Sequence, residues 1–190
     1  MLVLASAAFG TTLLAVDISG LSQSADLIVL GVVRSSAPRL TLDGRRIITD
    51  TEIQVSEVLK GHVNAVSVVV MQPGGIVGDV GQRVEGTAHF SVGDEVVVFL
   101  DRRGSERFAV TAMSQGKFKV ERSSDGKAAY AVPEAGASMM LIDPLTQKES
   151  SSLLKPMPLT ELKTKIAAAL VAPVTPAVEP TRPVLNRVGP

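Results

Sequence analysis

Apolar residues along this chain fall into short runs separated by glycine, proline and charged turns, which is a pattern of β-strands. Residues 25–33 (A-D-L-I-V-L-G-V-V) are almost continuously apolar. The run is too short for an amphipathic helix and rich in Val, Ile and Leu, so it predicts a strand buried on both faces. Ala37-Pro38 is expected to interrupt it, and Asp43-Gly44 to mark a turn. Arg46 to Val58 alternates instead. Thr51, Ile53 and Val55 share one face and Glu52, Gln54 and Ser56 the other, which predicts a half-buried strand ending at Leu59-Lys60-Gly61-His62. Residues 65–71, with Val66, Val68, Val69 and Val70, supply a third strand, expected antiparallel to the second.

A glycine-rich stretch then opens at Pro73-Gly74-Gly75 and reaches Gly86, through Gly78, Asp79, Gly81 and Arg83. Glycines at this density permit close backbone approach and predict a large surface loop. Val92-Gly93-Asp94 turns into the apolar strand Glu95 to Leu100, and Arg102-Arg103-Gly104-Ser105 turns the chain again. Arg107 to Ala112 and Lys117 to Arg122 are two further strands, the second closing on the hairpin signal Ser124-Asp125-Gly126.

Helical signals are few. Asp17 can cap a turn over residues 17–24, and Gly20 keeps that turn short. Leu159 to Val171 is the one convincing helix. Pro158 suits its start, Glu161 its positive end, and Leu159, Leu162, Ile166 and Leu170 recur at helical spacing. Pro173, Pro176, Pro180 and Pro183 predict a disordered, proline-rich tail over 172–190. The expected organisation is therefore a signal-like segment at 1–10, a β-domain over 17–131, an irregular linker over 132–158, a helix over 159–171 and the tail.

Short strands at roughly ten-residue spacing, with one helix outside, predict a mainly β sandwich or small barrel. The ordered landmarks A-D-L-I-V-L-G-V-V, I-Q-V-S-E-V-L-K-G, a Val-rich strand and V-G-D-E-V-V-V-F-L resemble the netrin-like domains. Those are OB-fold barrels and include the N-terminal domain of the tissue inhibitors of metalloproteinases. The same landmarks are similar to a group of uncharacterised bacterial secreted proteins. The resemblance covers residues 17 to about 122 and implies a small closed or partly open OB-like barrel. Metalloproteinase inhibitors chelate zinc through an N-terminal cysteine. This chain has no cysteine, so that inhibitory wedge carries over to no residue here.

Composition narrows the function classes. Nineteen basic and nineteen acidic residues leave no net charge, which argues against nucleic acid as a partner. Five Phe, one Tyr and no Trp offer little stacking surface for single strands. Zero cysteines exclude disulfides, thiolate metal sites and thiol nucleophiles. Met1 to Ala8 is small and apolar, with Ala5-Ser6-Ala7 as a cleavage-like pattern, and no Lys or Arg precedes it. It reads as a truncated signal peptide, or else as an apolar N-terminal strand. No run approaches the roughly 20 apolar residues of a spanning helix.

Candidate chemistry is sparse. His62 and His89 have no metal-ligand partner at local spacing and read as surface histidines. The stretch 73–86 lacks the Gly-Lys-Ser/Thr ending and following helix of a phosphate loop. No Gly-x-Ser-x-Gly or His-Glu-x-x-His motif is present. Ser123-Ser124 and Ser150-Ser151-Ser152 read as turn and linker chemistry, and Met139-Met140 as core filler or a sticky contact. Arg45-Arg46 and Arg102-Arg103 read as solvated turn tips, or as the rim of a ligand groove on a barrel.

The resulting expectation is a non-enzymatic, secreted or periplasmic module with no cofactor, metal or catalytic residue. It presents its glycine-rich loop, through Gly74, Gly75, Gly78, Asp79 and Arg83, to a protein partner. Two alternatives stand beside it. One is a protease inhibitor, from the netrin-like resemblance. The other is a hydrolase whose site is assembled from His89, Ser91 and Asp94. A purely structural role, with the proline-rich tail as tether, is a further reading.

Overall fold

The computed structural model describes residues 12–105, 107–134, 140–143, 146–150 and 154–172. The signal-like segment at 1–10, Met139, Ser151-Ser152 and the proline-rich tail from residue 173 onward lie outside the described residues.

The elements in chain order are β1 (Thr12–Leu14), α1 (Ile18–Ser24), β2 (Leu27–Leu40), β3 (Ile47–Lys60), β4 (Ser67–Pro73), β5 (Gly75–Val77) and β6 (Val80–Gln82). They continue with β7 (Glu95–Arg102), β8 (Arg107–Val110), a 3-10 turn over Met113–Gly116, β9 (Lys117–Arg122) and β10 (Ala129–Pro133). β11 (Met140–Ile142), β12 (Glu149–Ser150), β13 (Met157–Pro158) and α2 (Leu159–Val171) complete the chain. The protein is mainly β. One eight-stranded sheet runs β13-β10-β9-β7-β2-β3-β4-β8, and β8 pairs back onto β7. The hydrogen bonds therefore close a ring of five strands, β2-β3-β4-β8-β7. Every pairing in the ring is antiparallel except β4 with β8.

β7 is where the ring meets the rest of the sheet. Along one edge it pairs with β2; along the other, Leu100–Arg102 pair with β8 and Val96–Val98 with β9. β2 and β7 consequently have apolar neighbours on both faces. Leu27, Val29, Val33, Val96, Val98 and Leu100 point into the ring, where they meet Ile53, Val68, Val70, Phe108 and Val110. Ile28, Leu30, Val97 and Phe99 point the other way, against Phe118, Val120, Leu21, Leu162 and Ile166. Two cores on opposite faces of the same two strands explain why their sequences are apolar without alternation.

Several expectations change. Ala37-Pro38 does not interrupt β2, which runs on to Leu40 with Pro38 opposite Thr49. Beyond Val33 β7 no longer flanks β2, so the proline's missing N–H deprives no neighbouring strand of a donor. The region 17–24 is a true helix, α1, capped by the Asp17 carboxylate accepting from the N–H of Gly20. Lys60, at the end of β3, donates to the carbonyls of Ser22, Gln23 and Ala25 and so satisfies the other end of α1. α2 spans the expected residues, but its buried face is Leu159, Leu162, Ile166 and Ala169, and Leu170 is turned outward. The 132–158 stretch contains β11, β12 and β13; β11 lies between β1 and β12 in a separate three-stranded sheet. Ala112 leaves β8 for the left-handed region, φ 52°, followed by Met113 at φ 58°.

The four residues Gln115 to Phe118 hold distant segments together. The Gln115 side-chain amide accepts from the Val16 N–H and donates to the Leu14 carbonyl, both at 3.0 Å. Gly116 has no room for a side chain, since a Cβ there would lie 2.1 Å from the Thr111 carbonyl oxygen. Lys117 is buried and Phe118 is fully enclosed beside Phe99.

Candidate functional site

Inside the ring, period-two alternation carries the inward side along each strand. On β4 that face reads Val68, Val70, Gln72; on β3 it reads Ile53, Thr51, Thr49. On β2 the same side passes from buried Val33, across a register shift, to the exposed Ser36 and Pro38, which lie opposite Thr51 and Thr49. The inner wall is thus apolar for most of its length and turns to hydroxyls and an amide at one end. Ser36 Oγ and Thr51 Oγ1 are 3.3 Å apart across the β2–β3 pair.

The glycine-rich stretch folds over this polar end. It is no plain loop, because Gly75–Val77 and Val80–Gln82 pair as the β5–β6 hairpin with Gly78-Asp79 as its turn. Three hydrogen bonds fasten the hairpin to β3: Gly74 N–H to the Ile47 carbonyl at 2.8 Å, the Thr49 hydroxyl to the Gly74 carbonyl at 2.7 Å, and Ile47 N–H to Gln82 Oε1 at 2.8 Å. Gly74 and Gly75 have φ of 101° and 132°. A Cβ on Gly75 would lie 2.7 Å from Thr49 Oγ1 and 2.8 Å from Pro38 Cβ, so the hairpin reaches the wall only because these residues are glycine. Between wall and hairpin lies a cleft of about 730 Å³, bordered at its far side by residues 83–90. Ala88 and Phe90 from that side are buried in the ring's core.

Lys117 anchors the far side. Its ammonium donates to the His89 carbonyl, lies 3.1 Å from Glu134 Oε2 and sits 5.0 Å from the centre of the Phe90 ring. The Glu134 carboxylate also accepts the His89 N–H, at 2.8 and 3.0 Å. A buried lysine with an ionic partner, a carbonyl and an aromatic face is satisfied and fixes residues 89–90 in place.

The residues expected to bind separate into two groups. Gly74, Gly75 and Arg83 line the cleft, and Arg83 is paired with Glu85 at 2.7 Å. Gly78 and Asp79 form the outer turn of the hairpin and do not line it. Ile76 and Val80 of the hairpin are exposed, 70% and 62%. His89 lines the cleft, with Nε2 3.3 Å from Ser91 Oγ. Asp94 is engaged elsewhere, by Lys119 at 2.8 Å. Partial burial raises its carboxyl, but the Lys119 contact and a backbone hydrogen bond from Ser91 outweigh this and hold it below the ordinary value. His62 bonds to Asn64, away from the cleft. Arg102 stacks on Phe108, Arg103 pairs with Asp101, and Arg45 and Arg46 stand on the separate β2–β3 turn.

Gln72, Thr49 and Ser36 were not singled out from the sequence, although the alternation Val68, Val70, Gln72 already places an amide where a third aliphatic side chain is due. Among the described residues, no group of three or more His, Asp or Glu side chains is placed to hold a metal ion, and no helix is long and apolar enough to cross a membrane. No protein-family model matches the chain, and no curated protein matches it in sequence.

Proposed function

We propose that this protein is a non-enzymatic binding module, a barrel of the OB type that receives a protein partner in the cleft beneath the β5–β6 hairpin. The observation that carries the reading is the change of the ring's inner wall from aliphatic to polar at the one end where a cleft of about 730 Å³ opens. Thr51 and Gln72 are buried there without being aliphatic, and such departures from apolar packing concentrate at functional sites. The OB type is supported by the strand order of the ring and its single parallel closure between β4 and β8. The exposed Ile76 and Val80 give the hairpin an apolar contact edge beside the cleft.

An extracytoplasmic location belongs to the same proposal, supported by the small, apolar residues 1–8 and their Ala5-Ser6-Ala7 pattern. Fractionation of native cells with N-terminal sequencing tests it; an uncleaved cytoplasmic protein removes it. The binding reading is tested with a photo-crosslinking residue at Val80 in the full chain, against a variant whose residues 76–81 are replaced by a two-residue link. Specific crosslinks from Val80, with capture lost in the shortened variant, are expected. Undiminished capture by a folded, shortened variant sinks it.

The Ser91–His89 contact favours a second reading, a hydrolase, although Asp94 is turned to Lys119. Labelling of Ser91 by a fluorophosphonate probe would establish it, and unlabelled Ser91 would exclude serine-nucleophile chemistry there.

A further inference from the structure

We infer that the cleft recognises the main chain of an uncharged, extended polypeptide segment, and that Gln72 is the residue that pairs with it. The inference rests on the binding reading above and names what the cleft holds.

Gln72 is nine-tenths buried and lines the cleft, yet its side-chain amide makes no hydrogen bond among the described residues. The amide atoms stay open to solvent, since Ser114 Oγ alone among the described residues is a sealed polar side-chain atom without a partner. One acceptor and two donors of Gln72 are therefore available to an occupant of the cleft. Its neighbours do not take them up. The Thr49 hydroxyl, directly opposite, is committed to the Gly74 carbonyl, and the hydroxyls of Ser36 and Thr51 face each other. The complement of a free amide is another amide, which offers an N–H and a C=O at matching spacing.

Among the described residues, the same protein uses this device internally. The Gln115 amide accepts from the Val16 N–H and donates to the Leu14 carbonyl, so a glutamine side chain grips an extended backbone at two points. Gln82 performs half of it on the Ile47 N–H. Gln72 has the same chemistry facing an open cleft.

Two further observations favour a polypeptide. Beyond Val33, β2 has a strand neighbour on one side only among the described residues, and Ser36 and Pro38 of that stretch line the cleft. Such an edge can take up an extended chain at its other positions, while Pro38 contributes a carbonyl and no N–H to it. The wall also lacks net charge. The strands contribute Ser36, Thr49, Thr51 and Gln72, and Arg83 and Glu85 neutralise each other at 2.7 Å. Phosphates and carboxylates find no counter-ion on such a wall, whereas peptide groups need none.

The test is an NMR titration of the ¹⁵N-labelled full chain with an acetylated, amidated Ser–Val–Ser–Val–Ser–Val hexapeptide. Its parallel arms use the same peptide N-methylated at alternate residues, and maltotriose as a neutral hydroxyl source. Saturable shifts of the Gln72 side-chain NH₂ and of the Gly74 and Gly75 amides are expected with the hexapeptide. The N-methylated peptide and the Gln72→Leu variant should each bind roughly tenfold more weakly, the loss of about one two-point contact. Gln72→Met, which keeps side-chain length, serves if Gln72→Leu fails to fold. Equal binding of the N-methylated peptide, equal binding by the folded variant, a response to maltotriose alone, or no shift with millimolar hexapeptide each overturns the inference. If hairpin shortening abolishes partner capture while folded Gln72→Leu keeps wild-type peptide affinity, the cleft remains the binding site and only the role of Gln72 falls.

Discussion

The side-chain carbonyl of Gln115 accepts the backbone N–H of Val16 at 3.0 Å, across 99 residues of sequence. Its amide nitrogen donates to the Leu14 carbonyl, so one side chain stands in for a missing strand beside residues 14–16. Gln115→Leu leaves both backbone groups without that partner and should cost about 1–3 kcal/mol. The expected signature in urea denaturation is a lowered midpoint. Hydrogen exchange at Val16 should accelerate more than exchange in β2 or β7, and an unchanged Val16 rate would show that the clamp contributes nothing.

Next to it, Gly116 tests how tightly the turn before β9 is packed. Gly116→Ala places a Cβ 2.1 Å from the Thr111 carbonyl oxygen, which backbone movement must relieve. A loss of about 2–4 kcal/mol is expected from that strain. Gly81→Ala is the control, because its nearest neighbour would be Ile76 Cγ1 at an ordinary 3.7 Å. Thermal unfolding of the two variants should separate them clearly.

Asp94 makes stability depend on acidity. Its carboxyl is held below its ordinary value of 3.8, Lys119 overcoming the opposing effect of partial burial. A depressed folded-state value means that the contribution is complete above the unfolded value. It is lost as pH falls through the folded one. Lys119→Met should therefore lower the urea midpoint at pH 7 and at pH 5, and the gap from wild type should narrow steadily as pH falls below 3.8. A gap that shows no narrowing below pH 3.8 would assign the effect to packing of the lysine stem.

The buried face of α2 separates two residues that helical spacing treats alike. Ile166 is 1% exposed and Leu170 is 37% exposed. Ile166→Ala should cost about 2–5 kcal/mol through lost burial and a residual cavity, and Leu170→Ala a small part of that. Equal losses in chemical denaturation would place the helix in a different rotation on the sheet.

Local chemistry made much of this fold legible. β9 and α2 have the bounds expected from alternation and from the leucine spacing, because each segment buries one face and its sequence shows that face directly. The turns at Asp43-Gly44 and Ser124-Asp125-Gly126 followed from residue preference in the same way. Prolongation of β2 through Pro38 was not legible. Whether a proline breaks a strand depends on which edge lacks a neighbour, and that is a property of the assembled sheet. The β5–β6 hairpin was hidden for a related reason. Its glycines are compatible with an irregular loop, and only contact with Pro38 and Thr49 selects the hairpin seat.

The candidate site was half visible. Of the five residues read as loop contacts, Gly74, Gly75 and Arg83 border the cleft, while Gly78 and Asp79 form the hairpin turn outside its lining. Gln72 carried a weak signal, a polar residue at the inward position after Val68 and Val70. Lys117 and Glu134 carried none, since neither residue announces a partner in the linear chain.

By itself, the sequence determined the strands β3, β4, β7, β8 and β9 in outline, the long helix, and that the apolar first half of β2 is buried on both faces. Those properties depend on side-chain character within a few residues. Tertiary structure alone decided that β8 returns to β7 and closes the ring, and that β9 shares β7 with it. It also decided that the polar end of the inner wall meets the hairpin and leaves the Gln72 amide facing an open cleft. The physical reason is that strand pairing and cleft formation are set by contacts between residues far apart in the chain. Their free energy exists only once the ring has formed.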